Sequence, residues 1–140
     1  MSDERKALEE LNELFYKALE TLDMDAMERI WLHEGWVRCI HPGWDVLVGW
    51  HAVRHSWEEI FKNTRWMRVT PTSVDVRTLG EVGIVACSEN ITAKNEEDIG
   101  VAVAQATNVY QKGPSGWKLV LHHASQAPVR VTQPFSGRVQ

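Results

Sequence analysis

The stretch VGIVACSENITAKNEEDIGVAVAQATNVYQK, residues 82–112, decides the architecture. On each side of the polar run Asn95–Asp98, apolar and small residues recur at every second position, the period of an extended strand whose side chains alternate between two faces. Neither half contains proline, and Val, Ile, Thr and Tyr supply the bulk that a pleated surface favours. The polar connection is too short for a crossover, so Val82–Lys94 and Val101–Lys112 are expected to pair as antiparallel neighbours.

The same period extends outward over Arg65–Leu79 and Trp117–Val131. Gly80-Glu81 on one side and Lys112-Gly113-Pro114-Ser115-Gly116 on the other are turn sequences, which makes the second half of the chain a four-strand meander. Pro71 has no amide hydrogen to give to a ladder, so the first of these strands belongs at an edge or carries a bulge. Residues 101–110 are uncharged on both faces: Val101, Val103, Gln105, Thr107 and Val109 alternate with Ala102, Ala104, Ala106, Asn108 and Tyr110. One face can cover helices, and the other, rich in small residues, suits a second sheet. A homodimer through sheet faces is therefore expected.

Before residue 65 the period is helical. Leu8, Leu11, Phe15, Ala18, Leu19 and Leu22 form one stripe of a helix over residues 3–22, with Ser2 as a candidate N-cap. Asp23 caps a second, short helix over about residues 24–32, which buries Met27, Ile30 and Trp31 and stops at Gly35. Residues 36–40 read as a short strand, and Trp50, Val53, Trp57, Ile60 and Phe61 mark a third helix over 50–63. The fold class is α+β: three N-terminal helices packed on one face of a strongly curved, mixed, mainly antiparallel sheet, which wraps the long first helix and leaves a cone.

With 140 residues, 44% hydrophobic and 24% charged, the chain reads as a single globular domain over 1–140, its tail from residue 128 to 140 loosely ordered. The net charge of −4 counts against nucleic acid or an anionic membrane surface as partner. No apolar run is long enough to span a bilayer, and Met-Ser-Asp-Glu-Arg-Lys does not resemble an export signal. Cys39 and Cys87 lack paired spacing and are expected as buried free thiols, which suits a cytoplasmic protein.

The chemistry concentrates in residues 39–57, CIHPGWDVLVGWHAVRHSW, which hold three of the six histidines and three of the seven tryptophans. Pro42-Gly43 is a turn in which Gly43 is expected at positive φ, and Gly49 is a hinge into the third helix. Aromatic residues on such a loop are costly to expose, so it is expected to fold inward. His41 and Trp44 then wall a pocket mouth, or else cap the turn and fill the core; Trp57 faces inward as core or pocket wall. His51 and His55 have a chelating spacing but no third ligand nearby, so no metal is expected. On the last strand, Trp117, Leu119, Leu121, His123 and Ser125 share one face. That alternation sends His123 and Ser125 inward and His122 to the surface or an interface. A neutral His123 there is either a proton donor and acceptor or a hydrogen-bonded core residue. Asp45 and Glu89 are the candidate carboxylates, with the face that carries Glu89, rather than Ser88 and Asn90, left open. No phosphate-binding glycine loop, nucleophile elbow or zinc pattern is present.

The order helix-helix-strand-loop-helix-meander, the motif His-Pro-Gly-Trp at 41–44 with Gly49-Trp50, and a last strand Trp-Lys-Leu-Val-Leu-His-His-Ala-Ser at 117–125 resemble the nuclear transport factor 2-like superfamily, and within it the SnoaL-like proteins. The resemblance covers roughly residues 5–127. It implies a dimer and a pocket at the cone's mouth, on a fold shared by ketosteroid isomerases, polyketide cyclases, dehydratases and non-catalytic adaptors. In the isomerases and cyclases an acidic residue in an apolar cavity shuttles a proton; neither Tyr16 nor Tyr110 is matched to the isomerases' oxyanion-stabilising tyrosine. The expectation is a small-molecule pocket that binds a hydrophobic ring compound or acts on it without cofactor, by proton transfer of the isomerase, cyclase or dehydratase kind, with His123, Asp45 and Glu89 as catalytic candidates and His41, Trp44, Trp57 and Ser125 as ligand contacts. The alternative is a non-catalytic dimeric interaction or ligand-binding module.

Overall fold

A stripe of Leu8, Asn12, Phe15, Tyr16, Ala18 and Leu19 buries one side of the first helix, α1 (Asp3–Glu20), along the concave side of a single sheet. The computed structural model describes residues 3–129, so Ser2 and most of the tail lie outside the described residues. Leu22 takes positive φ as the chain leaves α1. The Asp23 carboxylate then accepts from the Ala26 amide at 3.0 Å and starts α2 (Met24–Ile30). That helix ends before Gly35, because Trp31 is extended and bridges to Leu119 of the sheet. Two short strands follow, β1 (Arg38–Ile40) and β2 (Leu47–Val48), the second lying within the stretch read above as loop. Helix α3 (Trp50–Lys62) buries Val53, Ser56, Trp57 and Phe61.

The four long strands fall where the period-2 pattern places them: β3 (Trp66–Leu79), β4 (Val82–Lys94), β5 (Ile99–Gly113) and β6 (Gly116–Ala127). The sheet order is β2-β1-β6-β5-β4-β3, antiparallel except where β1 lies parallel to β6. The three helices pack on this curved, mixed six-strand sheet, the α+β plan expected from the sequence. β3 is an edge strand, and the register shift after Thr72, with Ser73 at positive φ, sits next to Pro71. Cys39 and Cys87 are free and buried. No helix among the described residues is long and apolar enough to cross a membrane.

Two faces differ from expectation. On β5 the small-residue set turns inward: Ala104, Ala106, Asn108 and Tyr110 are buried beneath the helices, where Asn108 and Tyr110 bond to Asn12 and Tyr16 of α1. The outward set is Val101, Val103, Gln105, Thr107 and Val109. On β6, Val109 pairs with Leu121 but Tyr110 pairs with Leu119, so Val120 is an extra residue opposite β5. This bulge shifts the phase of alternation. His122 and Ala124 are buried, whereas His123 and Ser125 are exposed on the convex face.

Gly49 takes φ +93 at the start of α3, and its amide donates to the Val37 carbonyl at 2.7 Å. A Cβ there would also meet the Gly35 carbonyl oxygen at 3.3 Å, whereas one at Gly43 (φ +85) would meet open space. Gly49→Ala should therefore lower the melting temperature more than Gly43→Ala, which carries only the backbone cost of about 1 kcal/mol. Equal shifts would show that the contact with Gly35 is slack.

Candidate functional site

A pocket of ≈ 230 Å3 opens between the loop after β1 and the concave face of the sheet. Helix α1 contributes Leu19, the loop His41, Pro42 and Trp44, α3 Trp57 and Ile60, β3 Met67, β4 Glu89 and Ile91, and β6 His122. Trp44 is 45% exposed at the rim, while Trp57 is buried in the wall. His41 stands edge-on to both indoles, 4.7 Å from Trp44 and 4.6 Å from Trp57 between ring centroids. A larger surface groove of ≈ 590 Å3 beside Trp31 and Lys118 contains none of the buried titratable groups.

Behind Glu89 and His122 of the pocket wall lies a connected polar network. The Tyr16 hydroxyl donates to Glu89 Oε2 at 2.6 Å and lies 3.3 Å from Cys87 Sγ. Asn108 Nδ2 donates to the Tyr16 hydroxyl at 3.2 Å and to Asn12 Oδ1 at 3.0 Å, and the Tyr110 hydroxyl donates to the same Asn12 oxygen at 2.9 Å. Asn108 Oδ1 must then accept, and the ring nitrogen 2.6 Å from it, His122 Nδ1, carries the hydrogen. A neutral His122 therefore presents its Nε2 lone pair, 4.0 Å from Glu89 Oε2. The same reasoning assigns His41. The Ser56 hydroxyl donates to the Val53 carbonyl at 2.7 Å, so His41 Nε2, 2.8 Å from that hydroxyl, is the donor and Nδ1 is left as an acceptor. Cys39 Sγ lies 3.9 Å from this Nδ1.

Burial sets the charges. Desolvation holds the His41 pKa down to about 4 and the His122 pKa down to about 3, the latter with further lowering by His41 and His123. Desolvation raises the Glu89 pKa against the lowering effect of the Tyr16 hydrogen bond. Both partners are thus driven toward neutrality, and the 4.0 Å approach of His122 and Glu89 is not an ion pair. Burial pushes the Tyr16 hydroxyl and the Cys39 thiol up, so neither is an anion near neutral pH.

Of the residues singled out from sequence, the structure brings together Glu89, His41, Trp44 and Trp57. Glu89 lies on the inner face, which closes the alternative left open for β4. Asp45 does not join them: it is exposed, and its carboxylate accepts from the Val46 amide at 2.8 Å. His123 and Ser125 are removed by the Val120 bulge, and His122 takes the inner position. His51 and His55 are exposed on α3. Among the described residues no group of three or more His, Cys, Asp or Glu could hold a metal ion. Tyr16, Ser56, Asn12 and Asn108 were not anticipated as parts of the site. The available signals were polar residues at core spacing: Asn12 and Tyr16 within the apolar stripe of α1, and Asn108 within the alanine face of β5.

Comparison with known proteins gives three kinds of match. The SnoaL-like domain model matches residues 8–130. Among solved structures, a candidate dehydratase of the NTF2-like family from Streptomyces avermitilis is 34% identical, covering 89% of this chain and 96% of its own, with a TM-score of 0.83. A candidate calcium/calmodulin-dependent protein kinase type II association domain from Thiobacillus denitrificans is 30% identical, covering 86% and 94%, with a TM-score of 0.71. A ketosteroid isomerase-like protein from Erwinia carotovora atroseptica shares the fold at 19% identity, covering 91% of this chain and all of its own, with a TM-score of 0.77. A curated relative is F-box protein SKIP8 of Arabidopsis thaliana, 26% identical over 120 residues; the match spans 86% of this chain and about half of that protein, 49%.

His41 and His122 give the site a pH signature. Their folded pKa values, about 4 and about 3, lie below the unfolded value of about 6.5. Between those limits the unfolded state binds more protons, so their contribution is complete above pH 6.5 and is lost as pH falls toward 4. Glu89 acts in the opposite sense, because its raised pKa makes ionisation costly as pH rises above the ordinary carboxylate value. Melting temperature should fall on acidification from pH 6.5 to 4.5, and His41→Gln should flatten that slope. An unchanged slope in the variant would place the His41 ring in water.

Proposed function

The chain belongs to the SnoaL-like domain family of the NTF2-like superfamily, and on that premise we propose that its pocket takes a small hydrophobic ring compound and that Glu89 moves a proton to or from it without a cofactor. The observation that carries this reading is a lone carboxyl in an aromatic pocket, anchored by Tyr16 at 2.6 Å and raised in pKa by burial. A carboxyl tuned upward is a more effective base when ionised and remains an acid closer to neutral pH, the property that general acid–base chemistry needs. His122 Nε2, 4.0 Å away, is a hydrogen-bond acceptor at the same point. Trp44 and Trp57 supply the flat apolar walls for a ring. The 34% identical neighbour named as a candidate dehydratase supports proton-transfer chemistry of this class.

A second reading, a dimeric module, is favoured by the convex face. Val101, Val103, Gln105, Thr107 and Val109 run beside Ile84 on β4 and beside Leu121 and His123 on β6 with no Asp, Glu, Lys or Arg among them. The neighbour named as a kinase association domain supports self-association of this fold. The two readings are compatible, since the pocket and this face lie on opposite sides of the sheet.

Proton transfer is tested by deuterium incorporation at the α-carbons of a panel of small cyclic ketones in D2O, followed by NMR. The protein should accelerate exchange over buffer, and Glu89→Gln should remove about 10²–10⁴-fold of that rate. Exchange unaffected by the substitution would take Glu89 out of the role. Sedimentation should give about twice 16.0 kDa, and Val103→Arg on the convex face should yield a monomer. A monomeric parent protein would overturn the dimer.

A further inference from the structure

The pocket contains one carboxyl and, among its described lining residues, neither arginine nor lysine. We propose that its occupant is a small ring-bearing cation with N–H donors, a protonated amine or amidine, which pairs with Glu89 and lies against the indoles of Trp44 and Trp57. This rests on the reading of the pocket as a ligand site and names the chemical class of the ligand.

The argument begins with the groups that face Glu89. They are Tyr16 from α1, Cys87 on its own strand, His122 from β6 and, across the pocket, His41 from the loop. Burial drives all four toward their neutral forms, so among the described residues no counter-charge faces an ionised Glu89. A buried carboxylate without a partner is expensive, and a cation delivered by the ligand would relieve it.

Hydrogen-bond polarity gives an independent reason. His122 Nδ1–H is committed to Asn108 and His41 Nε2–H to Ser56, which leaves His122 Nε2 as a free lone-pair acceptor and His41 Nδ1 as an acceptor shared with the Cys39 thiol at 3.9 Å. The Tyr16 hydrogen already goes to Glu89. Trp57 Nε1–H has no acceptor but is sealed within the wall, so it offers nothing to an occupant. Apart from the Trp44 indole N–H at the rim, the free side-chain atoms around an ionised Glu89 are therefore acceptors, which an ammonium or amidinium satisfies and a carboxylate or phosphate does not. The aromatic walls add attraction for a cation over their faces. A volume of ≈ 230 Å3 lies below the usual range for drug-sized ligands and limits the occupant to about one ring with a short side chain.

Three probes of nearly equal size separate the possibilities: benzylammonium, benzyl alcohol and benzoate, each titrated at pH 8 by calorimetry and by the ring-proton shifts of His41 and His122. Benzylammonium should bind about tenfold more tightly than benzyl alcohol, the scale of one charge-assisted contact, and benzoate should bind most weakly. Glu89→Gln should abolish the preference for the cation. Benzyl alcohol or benzoate binding as tightly as benzylammonium would overturn the cation inference and leave the pocket reading intact. A cation preference that survives in Glu89→Gln would overturn it as well. If no probe moves either histidine, both the inference and the ligand-pocket reading fall. The ranking of the three probes on the unaltered protein decides the matter even if Glu89→Gln does not fold.

Discussion

The hydrogen bond from Tyr16 to Glu89 is the constraint on which the interior is built. A carboxyl in an apolar core is tolerated only when hydrogen-bonded, and each partner recruited for it must itself be satisfied. That requirement propagates: Tyr16 accepts from Asn108, Asn108 is oriented by Asn12 and His122, and Asn12 also receives Tyr110. Removing one member would strand its neighbours at a cost of about 1–3 kcal/mol each, so the network behaves as a unit. It also ties α1 to β4, β5 and β6 at one depth. The long helix is thereby fixed against the sheet by polar geometry as well as by the packing of Leu8, Phe15 and Leu19.

Much of this plan was legible because its causes are local. Strand boundaries followed from period-2 alternation and from turn residues at 80–81 and 112–116, and the helices from their apolar stripes. Pro71 announced an edge strand because a missing amide hydrogen has the same consequence wherever it occurs. The site was legible where burial of a bulky residue has one outcome, as for Trp57, and where a turn dictates direction, as for His41 and Trp44. Glu89 could be nominated but not oriented, since Cys87, Glu89 and Ile91 alternate with Ser88 and Asn90 in a strand with no basic residue on either face before its terminal Lys94.

The last strand shows what alternation cannot decide. Leu119, Val120 and Leu121 form an apolar run in which either parity looks correct, and a single bulge within it exchanges the fates of His122 and His123. The bulge answers a nonlocal demand: Leu119 must meet Trp31 and Leu32, while His122 must lie beside Cys39 of β1 and reach Asn108 of β5. No window along β6 contains those partners. The same holds for the polar network, whose members are 71 to 98 positions apart where they join α1 to the sheet.

The bulge leaves two adjacent histidines on opposite faces of one strand, His122 in the pocket wall and His123 on the convex face. Desolvation keeps the His122 ring neutral beside Glu89, and a cationic neighbour adds to it by opposing protonation of His122.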